Sequence, residues 1–171
     1  GHPLPPETLA VARGADAIFV PDGPDAAPGV VLALTNAGVT KRTQLIGTGL
    51  WDDQRVFQDA GMQGGLYAAP DPAGYASFVQ RYRAKFGQDP VRTATLSYDA
   101  AALVAALVRT QGPQRFSDEV LTNPSGFAGI DGIFRFKADG TNERGLAVMR
   151  VTSSGAQIAS PSPRSFEGSG T

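Results

Sequence analysis

Short apolar runs alternate with segments of helical spacing through the first half of the chain. Ala17-Ile-Phe-Val-Pro21 is a compact apolar run ending in Asp22-Gly23-Pro24, the pattern of a strand buried on both faces and then a turn. Val30, Val31, Leu34 and Ala37 follow at helical spacing, with Gly38 as the stop. Gln44-Leu-Ile-Gly-Thr48 repeats the strand pattern, and Trp51-Asp52-Asp53 opens a turn or short helix through Phe57. Gly64-Gly65 then precedes a third strand, Leu66-Tyr67-Ala68-Ala69, halted by Pro70-Asp71-Pro72. Ahead of these, Pro5, Pro6 and Glu7 suit a first helical turn that Gly14 closes.

The second half begins with the clearest helix. Tyr75, Phe78, Val79, Tyr82 and Phe86 share one face, Gln80, Arg81, Arg83 and Lys85 sit away from it, and Gly87 and Pro90 end it. A second helix runs from about Thr93 to Thr110; its Ala100–Val108 run is apolar nearly all round, which predicts packing on two sides. Ser117 to Leu121 reads as a short helix. Gly132–Lys137 and Gly145–Val151, joined by a turn containing Asp139-Gly140, read as a hairpin. From Ser153 onward more than half of the residues are Gly, Ser or Pro, the composition of a flexible tail, although Ile158 offers a point from which a strand could extend.

Strands alternating with helices imply an α/β fold, a Rossmann-like parallel sheet covered by helices in three layers. In such a sheet the loops leaving the carboxyl ends of the strands line one edge, where ligands bind. Here those loops are 21–25, 48–53 and 70–74.

Composition narrows the chemistry mainly by what is missing. The 171 residues contain no Cys and a single His, His2 beside the N-terminal Gly, where a cloning remnant is the simpler reading. Thiolate nucleophiles, His-dependent triads, HExxH metal sites and imidazole catalysis are therefore not expected, and no cofactor or metal is implied. A net charge of -1 and a pI near 5.8 give no general attraction to nucleic acid or anionic membranes. The longest apolar run is about half of the ~20 residues a membrane span needs, and Gly1–Glu7 shows no basic-then-apolar targeting pattern.

Each motif has two readings. Gly47-Thr-Gly49-Leu-Trp51-Asp52 begins like a dinucleotide fingerprint, but Asp52 stands where the third glycine belongs. Asp22-Gly23-Pro24-Asp25 reads as a helix-capping turn, Asp22 accepting N–H bonds and Pro24 presetting the first turn, or as a binding loop. Trp51 is a stacking platform for a ligand or a plug over the core. Asp52 and Asp53 are capping residues or a carboxylate pair. Tyr98 stands structurally at the base of a cleft or touches ligand. The basic residues Arg81, Arg83, Lys85 and Arg92 form a solvated face, because the interleaved Tyr82 and Phe86 lie on the apolar stripe. No catalytic constellation emerges, so the chain is not read as an enzyme.

With these residues in place, the order resembles the carboxyl-terminal half of type I periplasmic solute-binding proteins, the leucine/isoleucine/valine-binding family of ABC transporter receptors. The features that carry the likeness are Ala15–Pro21, Gln44–Gly47, Gly64–Tyr67, Phe78–Gly87, Tyr98-Asp99-Ala100, and Phe127–Phe136 before Asp139-Gly140. The resemblance implies two α/β lobes that close on a small polar, amino acid-like solute. On it, 1–152 divides into an α/β lobe (12–72), crossing helices (73–123) and a returning hairpin (126–152), followed by a flexible tail at 153–171. The expected ligand-binding residues are Asp22, Thr48, Trp51, Asp52 and Asp71, with Tyr98 on the far side. It also implies a periplasmic location, an ABC permease as partner, and a lipid anchor or a segment-swapped homodimer as further options.

The chain departs from the family in one respect. Amino-acid binders commonly place an aromatic residue in the loop after the first of these strands and an acidic one soon after the Gly47 equivalent; here the residues are Pro21-Asp22-Gly23-Pro24 and Thr48-Gly49. Asp22 or Asp52 would have to supply the negative charge. Gly47–Asp53 is also similar to the branch of the fold that activates penicillin-binding proteins, in which the lobe is an interaction module for a peptidoglycan synthase.

Overall fold

The structure, a computed structural model, describes residues 4–39 and 41–166; His2 lies outside them. In chain order the elements are α1 (Pro6–Arg13), β1 (Ala17–Phe19), α2 (Ala27–Asn36), β2 (Gln44–Gly47), a 3₁₀ turn (Gly49–Trp51), α3 (Gln54–Phe57), β3 (Leu66–Ala69), α4 (Pro72–Phe86), α5 (Ala94–Thr110), a 3₁₀ turn (Gly112–Gln114), α6 (Asp118–Leu121), β4 (Phe127–Gly129), β5 (Gly132–Phe136), β6 (Asn142–Arg144), β7 (Ala147–Thr152) and β8 (Gly155–Ser160). They form two compact units. The first takes the residues up to Ala69 together with Ala147–Ser160, and the second takes Pro70–Leu146 and the residues from Pro161 on.

The first unit is a mixed α/β sheet in the order β1-β2-β3-β7-β8. β1, β2 and β3 are parallel, and β7 runs antiparallel to β3 and to β8. One face carries the core: Tyr67, Met149 and Val151 from the sheet meet Val31 of α2, Val56 and Phe57 of α3, Trp51 and Met62. On the other face burial fails. Phe19 is 60% exposed and its register partner Ile46 is 37% exposed, so β1 is not buried on both faces as its apolar run predicts.

The second unit holds α4, α5, α6 and the antiparallel sheet β4-β5-β6. The α4 face appears as a chain of ring contacts, Phe78 to Tyr82 at 5.9 Å and Tyr82 to Phe86 at 4.6 Å. α5 is not packed on two sides: only Thr95, Asp99 and Leu107 are buried, whereas Leu96, Val104 and Val108 remain about half exposed. Its apolar length exceeds the surface its own unit provides. What fixes its first turns is polar. The Asp99 carboxylate accepts the Ile130 N–H at 2.8 Å, and Asp131 accepts Thr95 Oγ1 at 2.6 Å and Arg92 through both guanidinium nitrogens at 3.2 and 3.0 Å. A methyl at Gly129 would overlap the Asp99 carboxylate, so glycine is needed there for the approach.

Two expectations at the end of the chain fail. The Asp139-Gly140 turn does not join 132–137 to 145–151. It joins β5 to the short polar strand β6, in register Arg135 with Glu143, while β7 pairs with β3 in the other sheet. The reason lies in cross-strand charge and in burial: Arg135 and Lys137 both reach Glu143, at 2.6 and 2.7 Å, whereas the alternating buried positions of β7 match the apolar β3. Nor are residues 155–160 a tail, for they form β8, ordered by backbone pairing with β7 in spite of an exposed composition. Ile158 does lie in that strand, opposite Met149.

Candidate functional site

In the first unit, the loops that leave the carboxyl ends of β1 and β2 are tied together by one residue. Gly47 ends β2 and Gly65 precedes β3; a methyl at Gly47 would overlap the Trp51 indole, and one at Gly65 would sit 2.7 Å from it. The ring therefore lies flat where two side chains are absent. From there its Nε1 donates to the Asp22 carbonyl at 3.1 Å. The indole thus staples the loop after β1 to the loop after β2, and it is wholly buried. Of its two sequence readings the structure shows the plug, because a ring with no exposed surface offers nothing to stack on.

Around this staple sit the other residues singled out from sequence. Thr48 caps the 3₁₀ turn, its hydroxyl accepting the Leu50 N–H at 3.3 Å. Asp22 is exposed, and among the described residues only its carbonyl is engaged. It does not cap α2, which starts four residues beyond Gly23 with Ala26 in the capping position and no side-chain cap; the proline of that first turn is Pro28, not Pro24. The adjacent acids divide. Asp53 caps α3, its Oδ1 taking the Arg55 N–H at 2.8 Å, and Arg55 holds its carboxyl below the ordinary value of 3.8 through side-chain and backbone hydrogen bonds. Asp52 is exposed and makes no cap.

Sequence reasoning passed over Tyr67. It lies opposite Gly47 in β2, is 1% exposed, and its hydroxyl finds no hydrogen-bond partner among the described residues. Its ionisation is pushed well up, first by burial and then by the nearby Asp52 carboxylate, through its charge and a hydrogen-bond interaction with the hydroxyl that falls short of full hydrogen-bond geometry. A buried phenol without a partner is costly unless something else completes it. The available signal was a lone polar aromatic in an otherwise aliphatic strand.

Asp71 and Tyr98 belong to the second unit. Asp71 caps α4, its Oδ1 accepting the Ala73 N–H at 2.9 Å, so its carboxylate is already committed. Tyr98 is about half exposed, its ring edge-on to Phe78 at 5.3 Å with the Arg81 guanidinium 6.0 Å from its centroid. The structure therefore brings together Asp22, Thr48, Trp51 and Asp52, with Tyr67 added. Among the described residues no group of three or more His, Cys, Asp or Glu is placed to hold a metal ion, and no helix is long and apolar enough to cross a membrane.

No curated protein sequence matches the chain. Solved structures do. A protein from Rhodospirillum rubrum described as a branched-chain amino acid ABC transporter superposes with TM-score 0.75 at 19% identity, over 92% of this chain and 49% of its own. The branched-chain amino acid transporter substrate-binding protein LivJ of Streptococcus pneumoniae, in complex with isoleucine, gives TM-score 0.53 at 21% identity over 94% and 50%. The C-domain of LpoA from Haemophilus influenzae, a regulator of PBP1A, gives 0.55 at 12% over 92% and 50%. The chain spans about half the length of these structures, and at such identities the likeness establishes the fold alone. The family model for periplasmic binding proteins matches residues 8–156, nearly the whole of the described chain, and the chain belongs to that family.

Proposed function

We propose that the chain is part of a periplasmic receptor for an ABC transporter of the branched-chain amino acid type, and that it contacts a small polar, amino acid-like solute at the carboxyl edge of the first sheet. The observation that carries this reading is the Trp51 staple, which holds in fixed relation the two loops that carry the exposed carboxylates of Asp22 and Asp52. Either carboxylate supplies the negative charge that an ammonium group requires, Thr48 supplies a polar contact, and Trp51 positions them without touching the solute. The reading needs no catalysis and no cofactor. Solute would act by favouring one arrangement of a two-lobed protein over another.

Calorimetric titration with a panel of amino acids tests it. Saturable binding that Asp52→Ala or Asp22→Ala weakens by about tenfold, the worth of one charge-assisted contact, is the expected result. Panel-wide silence would overturn it.

One observation favours a second reading. Thr48-Gly49 occupies the place after Gly47 where amino-acid binders carry an acid, and the fold also matches the LpoA C-domain. On this reading the same loops meet a penicillin-binding protein. Capture of a purified peptidoglycan synthase, combined with silence toward amino acids, is the outcome that would select it.

A further inference from the structure

We infer that the opposite end of the first sheet is a second binding surface, a groove that takes an acidic peptide segment carrying aliphatic side chains. The groove has a volume of about 880 Å³ and runs between α2, the start of β2, the loop 59–65 and Arg150 of β7. Sheet polarity separates it from the solute edge. Gln44 begins β2, and Arg150 pairs with Leu66 at the start of β3, so both mark the amino ends of the parallel strands. Four residues of strand put about 13 Å between the two ends.

The charge of the groove is not that of the chain. Lys41, Arg42 and Arg150 line it against one acid, Asp59. That acid is occupied: its Oδ1 accepts the Gly61 and Met62 N–H groups at 2.9 and 3.2 Å. Lys41 and Arg150 are exposed, and neither forms an ion pair with any described residue. In a protein of net charge -1, the unpaired Lys41 and Arg150, facing a single acid whose Oδ1 is tied up by backbone N–H groups, create a local positive field that selects an anionic partner. Beside them Leu32 stands 61% exposed at the groove wall. An exposed leucine next to cations drawn from two separate elements suits a chain with recurring acids and an aliphatic side chain better than it suits one compact anion. None of these residues belongs to the proposed solute edge, so the inference stands or falls separately from it.

Fluorescence anisotropy with a labelled peptide Glu-Leu-Glu-Ser-Glu-Leu-Glu, and with its counterpart carrying Lys for every Glu, tests the groove. The acidic peptide is expected to bind about tenfold or more tightly than the basic one, with an affinity that falls as salt rises. The double variant Lys41→Glu/Arg150→Glu is expected to remove about tenfold or more of that affinity, and Leu32→Ser a few-fold. All three positions are exposed, and circular dichroism checks that each variant keeps its fold. Asp52→Ala should leave peptide binding unchanged. Equal binding of the two peptides, indifference to the double variant, or loss of binding in Asp52→Ala would each overturn the proposal. So would binding to phosphatidylglycerol vesicles that the acidic peptide does not compete away, since that would make the occupant a membrane.

Discussion

The two units are held by different forces. In the first, an apolar core closes around Trp51, Val56, Met62 and Tyr67, all fully buried, and its one functional staple is itself a core residue. In the second, the long apolar helix α5 stays largely exposed, and its start is fixed to the β4–β5 turn by two buried carboxylates, Asp99 and Asp131. Packing tolerates small chemical changes and punishes lost volume, whereas a buried polar latch does the reverse. The contrast teaches that a helix rich in alanine and valine can be positioned by the few polar groups on it.

The largest effect expected is Trp51→Ala, which removes the indole over Gly47 and frees the Asp22 carbonyl. It should cost about 3–5 kcal/mol in urea unfolding of the first unit. Gly47→Ala tests the same packing from below and should cost about 1–3 kcal/mol by forcing the ring aside. A loss under 0.5 kcal/mol in both, on a threshold of roughly surface-mutation size, would sink the staple. Next comes the latch: Asp131→Ala removes the acceptor shared by the buried Thr95 hydroxyl and the Arg92 guanidinium, leaving them only their bonds to each other, and should cost about 1–3 kcal/mol. Hydrogen exchange would show it as faster opening at Ile130 and through the first turns of α5. Because Asp99 separately holds the Ile130 N–H, Asp99→Asn should give a smaller loss, of about 1 kcal/mol.

Tyr67→Phe sharpens the comparison within the apolar unit. Deleting a buried hydroxyl whose only polar neighbour among the described residues is the imperfectly placed Asp52 carboxylate should change stability by less than about 0.5 kcal/mol or raise it. A large loss of stability would mean that the phenol is already satisfied. The smallest effect concerns Glu143, which Lys137 and then Arg135 hold below the ordinary 4.5. A carboxyl lowered in the folded state adds stability that is fully present above its unfolded value and is lost as pH falls through the lowered folded value. Amide protection factors in β5 and β6, which divide out the intrinsic pH dependence of exchange, should therefore fall with acid across that window, and Glu143→Gln should abolish the dependence.

Where local pattern and local packing agree, the elements stand as their residues predict. α1 begins at Pro6 and stops at Gly14, β3 spans Leu66–Ala69, and α4 runs from Pro72 to Gly87 because Asp71 caps one end and glycine closes the other. The pieces that misled are those whose partners are distant in sequence. β6 is three polar residues with no strand signal of its own, and β8 is an almost wholly exposed strand bounded by Gly155 and Ser160; both exist because a neighbouring strand satisfies their backbone. The site shows the same division. Asp22, Thr48, Trp51 and Asp52 were legible as loop residues after strands, but that Trp51 is buried and Tyr67 left unpartnered depends on which atoms meet across 29 and more positions of chain.

Sequence by itself thus determined the succession of β and α segments, the ends of most helices, and the strand termini at which functional loops emerge, because caps, prolines and apolar spacing act within a few residues. Tertiary structure alone decided which strand joins which sheet and whether the tryptophan faces solvent or the core. Those outcomes turn on burial and on hydrogen bonds between distant segments, and no local pattern of residues encodes either.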